Sequence, residues 1–192
     1  MARRSRKKQL LGAPIYLFVE GEKTEPVYFD ILKRHLNMTN IKIHSSKGKS
    51  GRALLDSAIS QIKLGKFDHD GQKYLIFDKD ALTKEQLLDV FHRAARENFN
   101  IGFSNLNFEV WLLAHFEKLT RRPTALSDKK WLHDKLTEKL KQPYKKGDRK
   151  QLEIMVPYYE QAIAHAKNSH EASFDYQCST VGTIIEKISN RH

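Results

Sequence analysis

Ile15-Tyr16-Leu17-Phe18-Val19-Glu20-Gly21-Glu22-Lys23-Thr24-Glu25-Pro26 is an apolar, β-forming run that passes without a break into a charged turn. The run predicts a strand, and the apolar residues spaced at helical intervals from Pro26 to His35 predict a helix after the turn. The alternation continues along the chain. Ile41-Lys42-Ile43 reads as a strand, Arg52 to Leu64 as a helix, Tyr74-Leu75-Ile76-Phe77 as a strand, Lys84 to Glu97 as a helix and Asn100 to Phe103 as a fourth strand. Strands alternating with helices of this length imply parallel pairing with right-handed crossovers, hence an α/β sheet with helices on both faces.

Beyond Phe108 the β signal fades. Glu109 to Phe116, Trp131 to Lys141, Leu152 to Lys167 and Thr183 to Ser189 all read as helices, and Pro123, Pro143 and Gly147 punctuate them. The last two breakers flank a basic loop, Tyr144-Lys145-Lys146.

The 192 residues carry a net charge of +11, and between Lys118 and Lys150 twelve Lys or Arg face four Asp or Glu. Clustered cations gain affinity for polyanions by displacing counterions from phosphates, so nucleic acid is the expected partner, and Lys145, Lys146 and Arg149 are the expected contacts. A basic surface that serves solubility alone is the competing explanation. Apolar runs such as Ile15 to Val19 and Val110 to Ala114 fall far short of the roughly 20 residues a membrane span needs, so no membrane partner is expected. The basic stretch Arg3 to Lys8 is followed by no apolar segment suited to export. Cys178, the sole cysteine, cannot pair within the chain, and no Cys/His grouping has zinc-site spacing. A cytoplasmic location is the expectation.

In open parallel sheets ligands bind at the carboxyl ends of strands, and there this sequence places acids. The first strand runs into Glu20, Glu22 and Glu25, and the third into Asp78-Lys79-Asp80. Gly21 is expected to let the chain turn sharply behind Glu20. Asp78 and Asp80, two positions apart, share one side of an extended chain. If the two strands are neighbours, three carboxylates meet, an oxygen-rich set suited to Mg²⁺ or Mn²⁺. Solvated loop acids or helix caps are the alternative, with Thr24 able to cap the helix near Pro26. Gly48-Lys49-Ser50 ends like a phosphate-binding loop, but that pattern requires Gly where Ile43 stands.

Three stretches, Phe18 to Pro26, Asp78-Lys79-Asp80 and Ser104-Asn105-Leu106-Asn107-Phe108-Glu109-Val110-Trp111-Leu112-Leu113, resemble the signatures of RloB-like proteins, with a fainter match at Ser179-Thr180-Val181. The resemblance implies a Toprim-related catalytic fold, as in topoisomerases, primases and overcoming-lysogeny-defect nucleases. It implies that Glu20 serves acid/base chemistry and that Asp78 and Asp80 bind metal. It further implies a role in bacterial restriction and abortive phage defence, often beside an ATPase partner. Leu82 stands where some Toprim proteins carry a third Asp, so another donor is expected. Glu109, opening the helix after the fourth strand, is the first candidate and Glu25 the second, although a helix-terminal carboxylate facing the macrodipole would also explain Glu109.

The expected organisation is a basic flexible tail over residues 1–13, a Toprim-like α/β core of about four strands over 14–116, and a basic helical extension over 117–192 packed on that core. The expected activity is Mg²⁺- or Mn²⁺-dependent hydrolysis of nucleic-acid phosphodiester bonds, with Glu20, Asp78 and Asp80 catalytic and Glu20, Asp78, Asp80 and Glu109 holding metal. A non-catalytic sensor or regulatory module for an ATPase partner is the alternative.

Overall fold

The apolar run that opens the sheet is buried along its whole length. In the computed structural model, which describes residues 13–68, 70–80, 82–125, 128–169 and 171–190, β1 (Ile15–Val19) lies between two layers of helices. A strand covered on both faces has no polar positions to spare. Ile15, Leu17 and Val19 join one core cluster together with Tyr74 and Ile76 of β3 (Gln72–Asp78). Tyr16 and Phe18 join the other, together with Leu75 and Phe77.

β2 (Ile41–Ser45) and β3 flank β1 in parallel, β4 (Phe99–Asn105) follows β3, and a short β5 (Cys178–Ser179) pairs antiparallel with β4. The order is therefore β2-β1-β3-β4-β5. The expected four parallel strands are present. The fifth, only two residues long, offers no run for a periodicity to reveal.

The chain leaves β1 toward β2 on one side and returns to β3 on the other. The strand order thus reverses between β1 and β3, where loops diverge and leave a crevice at the carboxyl ends. α1 (Thr24–His35) packs on one face through Tyr28, Phe29 and Leu32. α2 (Gly51–Lys63) and α3 (Lys84–Arg96) cover the other face, with Leu54, Leu55, Ala58, Ile59 and Ile62 forming the buried stripe of α2. A capping box fixes the start of α3: Gln86 N–H donates to Thr83 Oγ1 and the Gln86 side chain accepts from Thr83 N–H.

The remaining helices close over the face occupied by α1. They are α4 (Glu109–Ala114), α5 (Asp128–Leu140), α6 (Arg149–Met155), α7 (Tyr159–Ala166) and α8 (Val181–Ser189). Leu132, Leu136, Leu152, Met155 and Ile184 share one core with Tyr28, Phe29 and Trp111. The single helix expected from Leu152 to Lys167 is interrupted by a 3-10 turn, Val156–Tyr158. Pro157 lacks an N–H and its ring clashes with the preceding turn, which accounts for the break. Thr24 does not cap α1 either. It lies inside the first turn, and Lys23 precedes the helix with no side-chain cap.

The tail expected over residues 1–13 lies, except for Ala13, outside the described residues. Among the described residues no helix is long and apolar enough to cross a membrane.

Candidate metal centre

The sheet register places Val19 beside Ile76, so the next residues, Glu20 and Phe77-Asp78, emerge side by side. Glu20 N–H donates to Ile76 O at 3.0 Å, and the Glu20 carboxylate accepts from Asp78 N–H at 3.2 Å. The loop after β2 wraps the same tip. Ser46 N–H reaches Val19 O, Gly48 N–H reaches Glu20 O, both at 3.0 Å, and Ser45 Oγ donates to Gly21 O at 2.8 Å.

The chain bends at Glu20, and Gly21 behind it also leaves space. It is not among the glycines with positive φ, but a Cβ there would come within 1.9 Å of a Glu25 carboxylate oxygen. The missing side chain lets Glu25 fold back from the first turn of α1 toward the strand tips.

Glu20, Glu25, Asp78, Asp80 and Glu109 all line one cleft of about 290 Å³, together with Lys146. Glu20, Glu25 and Glu109 are 8%, 6% and 4% exposed. Burial pushes Glu20 up to about 7, against the hydrogen bond from Asp78 N–H. Burial, followed by the charges of Glu25, Glu20 and Glu109, holds Asp78 well above the usual carboxylate range. Glu25 is raised by burial and then by Glu109. Such a set is unfavourable without added positive charge.

The acids share a cleft without closing into a shell. Among the described residues no three His, Cys, Asp or Glu side chains are close enough to hold one ion. Asp80 has a left-handed φ of 36° and turns outward to Lys129 Nζ at 2.5 Å. Lys79, between the two aspartates, points elsewhere: its ammonium donates to Phe174 O at 2.8 Å and lies over the Phe174 ring.

Glu109 turns into the cleft. Its Oε1 accepts from Tyr144 Oη at 3.1 Å and lies 3.3 Å from Lys146 Nζ. Neighbouring Asn105 acts as a tether, since its amide donates to the carbonyls of Ser173, Phe174 and Tyr176. Lys145 is exposed, whereas Arg149 is tied to Asp30 at 2.9 Å and to Glu153 at 3.8 Å. The three basic residues expected to meet nucleic acid thus have different surroundings, and only Lys146 lines the cleft.

The donors lining the cleft are all oxygen, the ligand type hard cations such as Mg²⁺ or Mn²⁺ take, and they include none of the nitrogen and sulfur ligands zinc prefers. The family model for RloB-like protein matches residues 15–188. This chain belongs to the RloB-like protein family. Comparisons with curated proteins and with solved structures found no match. The RloB-like match runs from β1 into α8, so the helices that bring Tyr144 and Lys146 to Glu109 lie within the family's common region. Two neighbours of the cleft acids, Lys129 beside Asp80 and Tyr144 beside Glu109, do not follow from the sequence reading. Tyr144 stands in the breaker-bounded loop and could have been suspected there, but nothing local in the sequence distinguishes Lys129 from the other lysines of α5.

Proposed function

We propose that this RloB-like protein is a metal-dependent nuclease that hydrolyses nucleic-acid phosphodiester bonds, acting in bacterial anti-phage defence. The observation that carries the reading is the gathering of Glu20, Glu25, Asp78, Asp80 and Glu109 around one cleft at the β1/β3 reversal of a chain with net charge +11. An acidic cleft in a basic protein suits a cation below and a phosphate backbone above.

Asp78, Glu20, Asp80 and Glu109 are the residues that would hold Mg²⁺ or Mn²⁺. When bound, such a cation polarises a phosphoryl oxygen and makes water a stronger nucleophile at neutral pH. Glu20, whose carboxyl burial raises in the metal-free cleft, stands at the strand tip and is the residue suited to take a proton from the attacking water. Lys146, beside Glu109 at the cleft wall, presents a positive charge toward an incoming phosphate.

The test is cleavage of DNA and RNA by purified protein with Mg²⁺ or Mn²⁺. Wild type should cut, whereas folded Asp78→Asn and Asp80→Asn should not. Equal cleavage by all three would remove Asp78 and Asp80 from the chemistry, and no cleavage by wild type would leave the protein as a non-catalytic module for a partner such as an ATPase.

A further inference from the structure

Two of the cleft's acids are each held by a lysine from the C-terminal half. Lys129 of α5 contacts Asp80 at 2.5 Å, and Lys146 of the loop before α6 contacts Glu109 at 3.3 Å. Structured segments bring Lys129 to Asp80 and Lys146 to the cleft. Leu132 and Leu136 bury the inner face of α5, and Asp128 at its start accepts from Ala125 N–H. Before α6, Tyr144 is buried with its hydroxyl on Glu109, and Gln151 clamps the loop by accepting from Lys145 N–H at 2.9 Å and donating to Pro143 O at 2.8 Å. Gly147, at φ 72°, lets the loop lie against Lys23.

An ammonium donates three hydrogen bonds and accepts none, so it cannot share a carboxylate oxygen with a metal ion without repulsion. Lys129 holds Asp80 outward, and Lys146 occupies the Glu109 oxygen that already receives Tyr144. We propose that Lys129 and Lys146 are internal counter-ions that compete with a divalent cation for Asp80 and Glu109, and that become phosphate contacts once the cation displaces them. The inference rests on the metal reading of the cleft. It makes the two lysines positioning residues and couples the two ligands: a cation frees ammonium groups for phosphate, and phosphate drawing those groups away opens the acids to the cation. By linkage each ligand raises the affinity for the other by the same factor.

The experiment is calorimetric titration of Mn²⁺ alone into the full chain: wild type, Lys129→Met, Lys146→Met, the double variant, and Lys129→Arg with Lys146→Arg as charge-conserving controls. Methionine keeps the apolar stem, and melting curves check the fold of each variant. Each methionine variant should bind Mn²⁺ roughly two- to fivefold more tightly and the double variant on the order of tenfold more tightly, as expected for removing partly exposed ion pairs. The arginine variants should stay at the wild-type value. Binding by the double variant with none by wild type would support the inference in its extreme form. Unchanged or weaker binding in the methionine variants, or equal tightening with arginine, would overturn it. Absence of Mn²⁺ binding in every chain would overturn the metal reading itself.

Discussion

Asp78 carries two opposed demands in one side chain. Its ionised form is destabilised by burial and by the neighbouring charges of Glu25 and Glu20, yet the proposed chemistry requires that charge. Asp78→Asn should therefore abolish Mn²⁺ binding and cleavage while stabilising the metal-free fold at pH 8 by about 0.5–2 kcal/mol, measurable by denaturant melts. The pH dependence follows from the same physics. Burial raises Glu20 from the usual carboxylate value of 4.5 to about 7, so the folded state binds a proton more tightly than the unfolded state. Its contribution to stability is fully present below about pH 4.5 and is lost as pH rises through 7, a change of about 3 kcal/mol. Glu25 and Asp78 are shifted in the same direction. Melting temperatures in EDTA should fall from pH 5 to pH 8, and Mn²⁺ should restore more stability at pH 8 than at pH 5. Glu20→Gln should flatten the EDTA profile; a profile as steep as wild type would show that burial of Glu20 is not its source.

At the scale of elements, the loop between α5 and α6 is the part of the site most dependent on tertiary packing. Gln151 is 4% exposed, and its amide bonds both Lys145 N–H and Pro143 O. Gln151→Leu should cost about 1–3 kcal/mol by leaving those backbone groups unpaired, and should lower metal or phosphate affinity through the loss of loop placement. Unchanged stability would mean that water replaces the clamp. The strands and first helices were legible because each has its own apolar pattern: β1 begins and ends with its run, and α2 shows its buried stripe in Leu54, Leu55, Ala58, Ile59 and Ile62. Glu20 and Asp78 were legible because strand tips follow from strands. β5 was not, since two residues have no period, and the room Gly21 leaves for the Glu25 carboxylate is a packing fact that no sequence pattern records. The outward turn of Asp80 depends on Lys129, 49 positions away in sequence, which no local pattern records.

Over the whole molecule, charge is divided by region. The net charge is +11 and the stretch from Lys118 to Lys150 is strongly basic, while the cleft beside it gathers acids. Nucleic-acid binding should accordingly weaken steeply with salt. Replacing Lys145 and Lys146 by Ala should flatten the slope of log affinity against log salt by about two units at most. Arg149→Ala should change it less, because Asp30 and Glu153 already engage that guanidinium. An unchanged slope for the lysine variant would place the binding surface elsewhere. The central claim is that the acids at the β1 and β3 tips form a divalent-cation site, and the most direct measurement is anomalous diffraction from crystals of the full chain equilibrated with Mn²⁺. An anomalous peak is expected in the cleft, within coordination distance of Asp78 and Glu20, with Asp80 drawn away from Lys129. A cleft with no peak at saturating Mn²⁺, or a peak only on other surface acids, would contradict it.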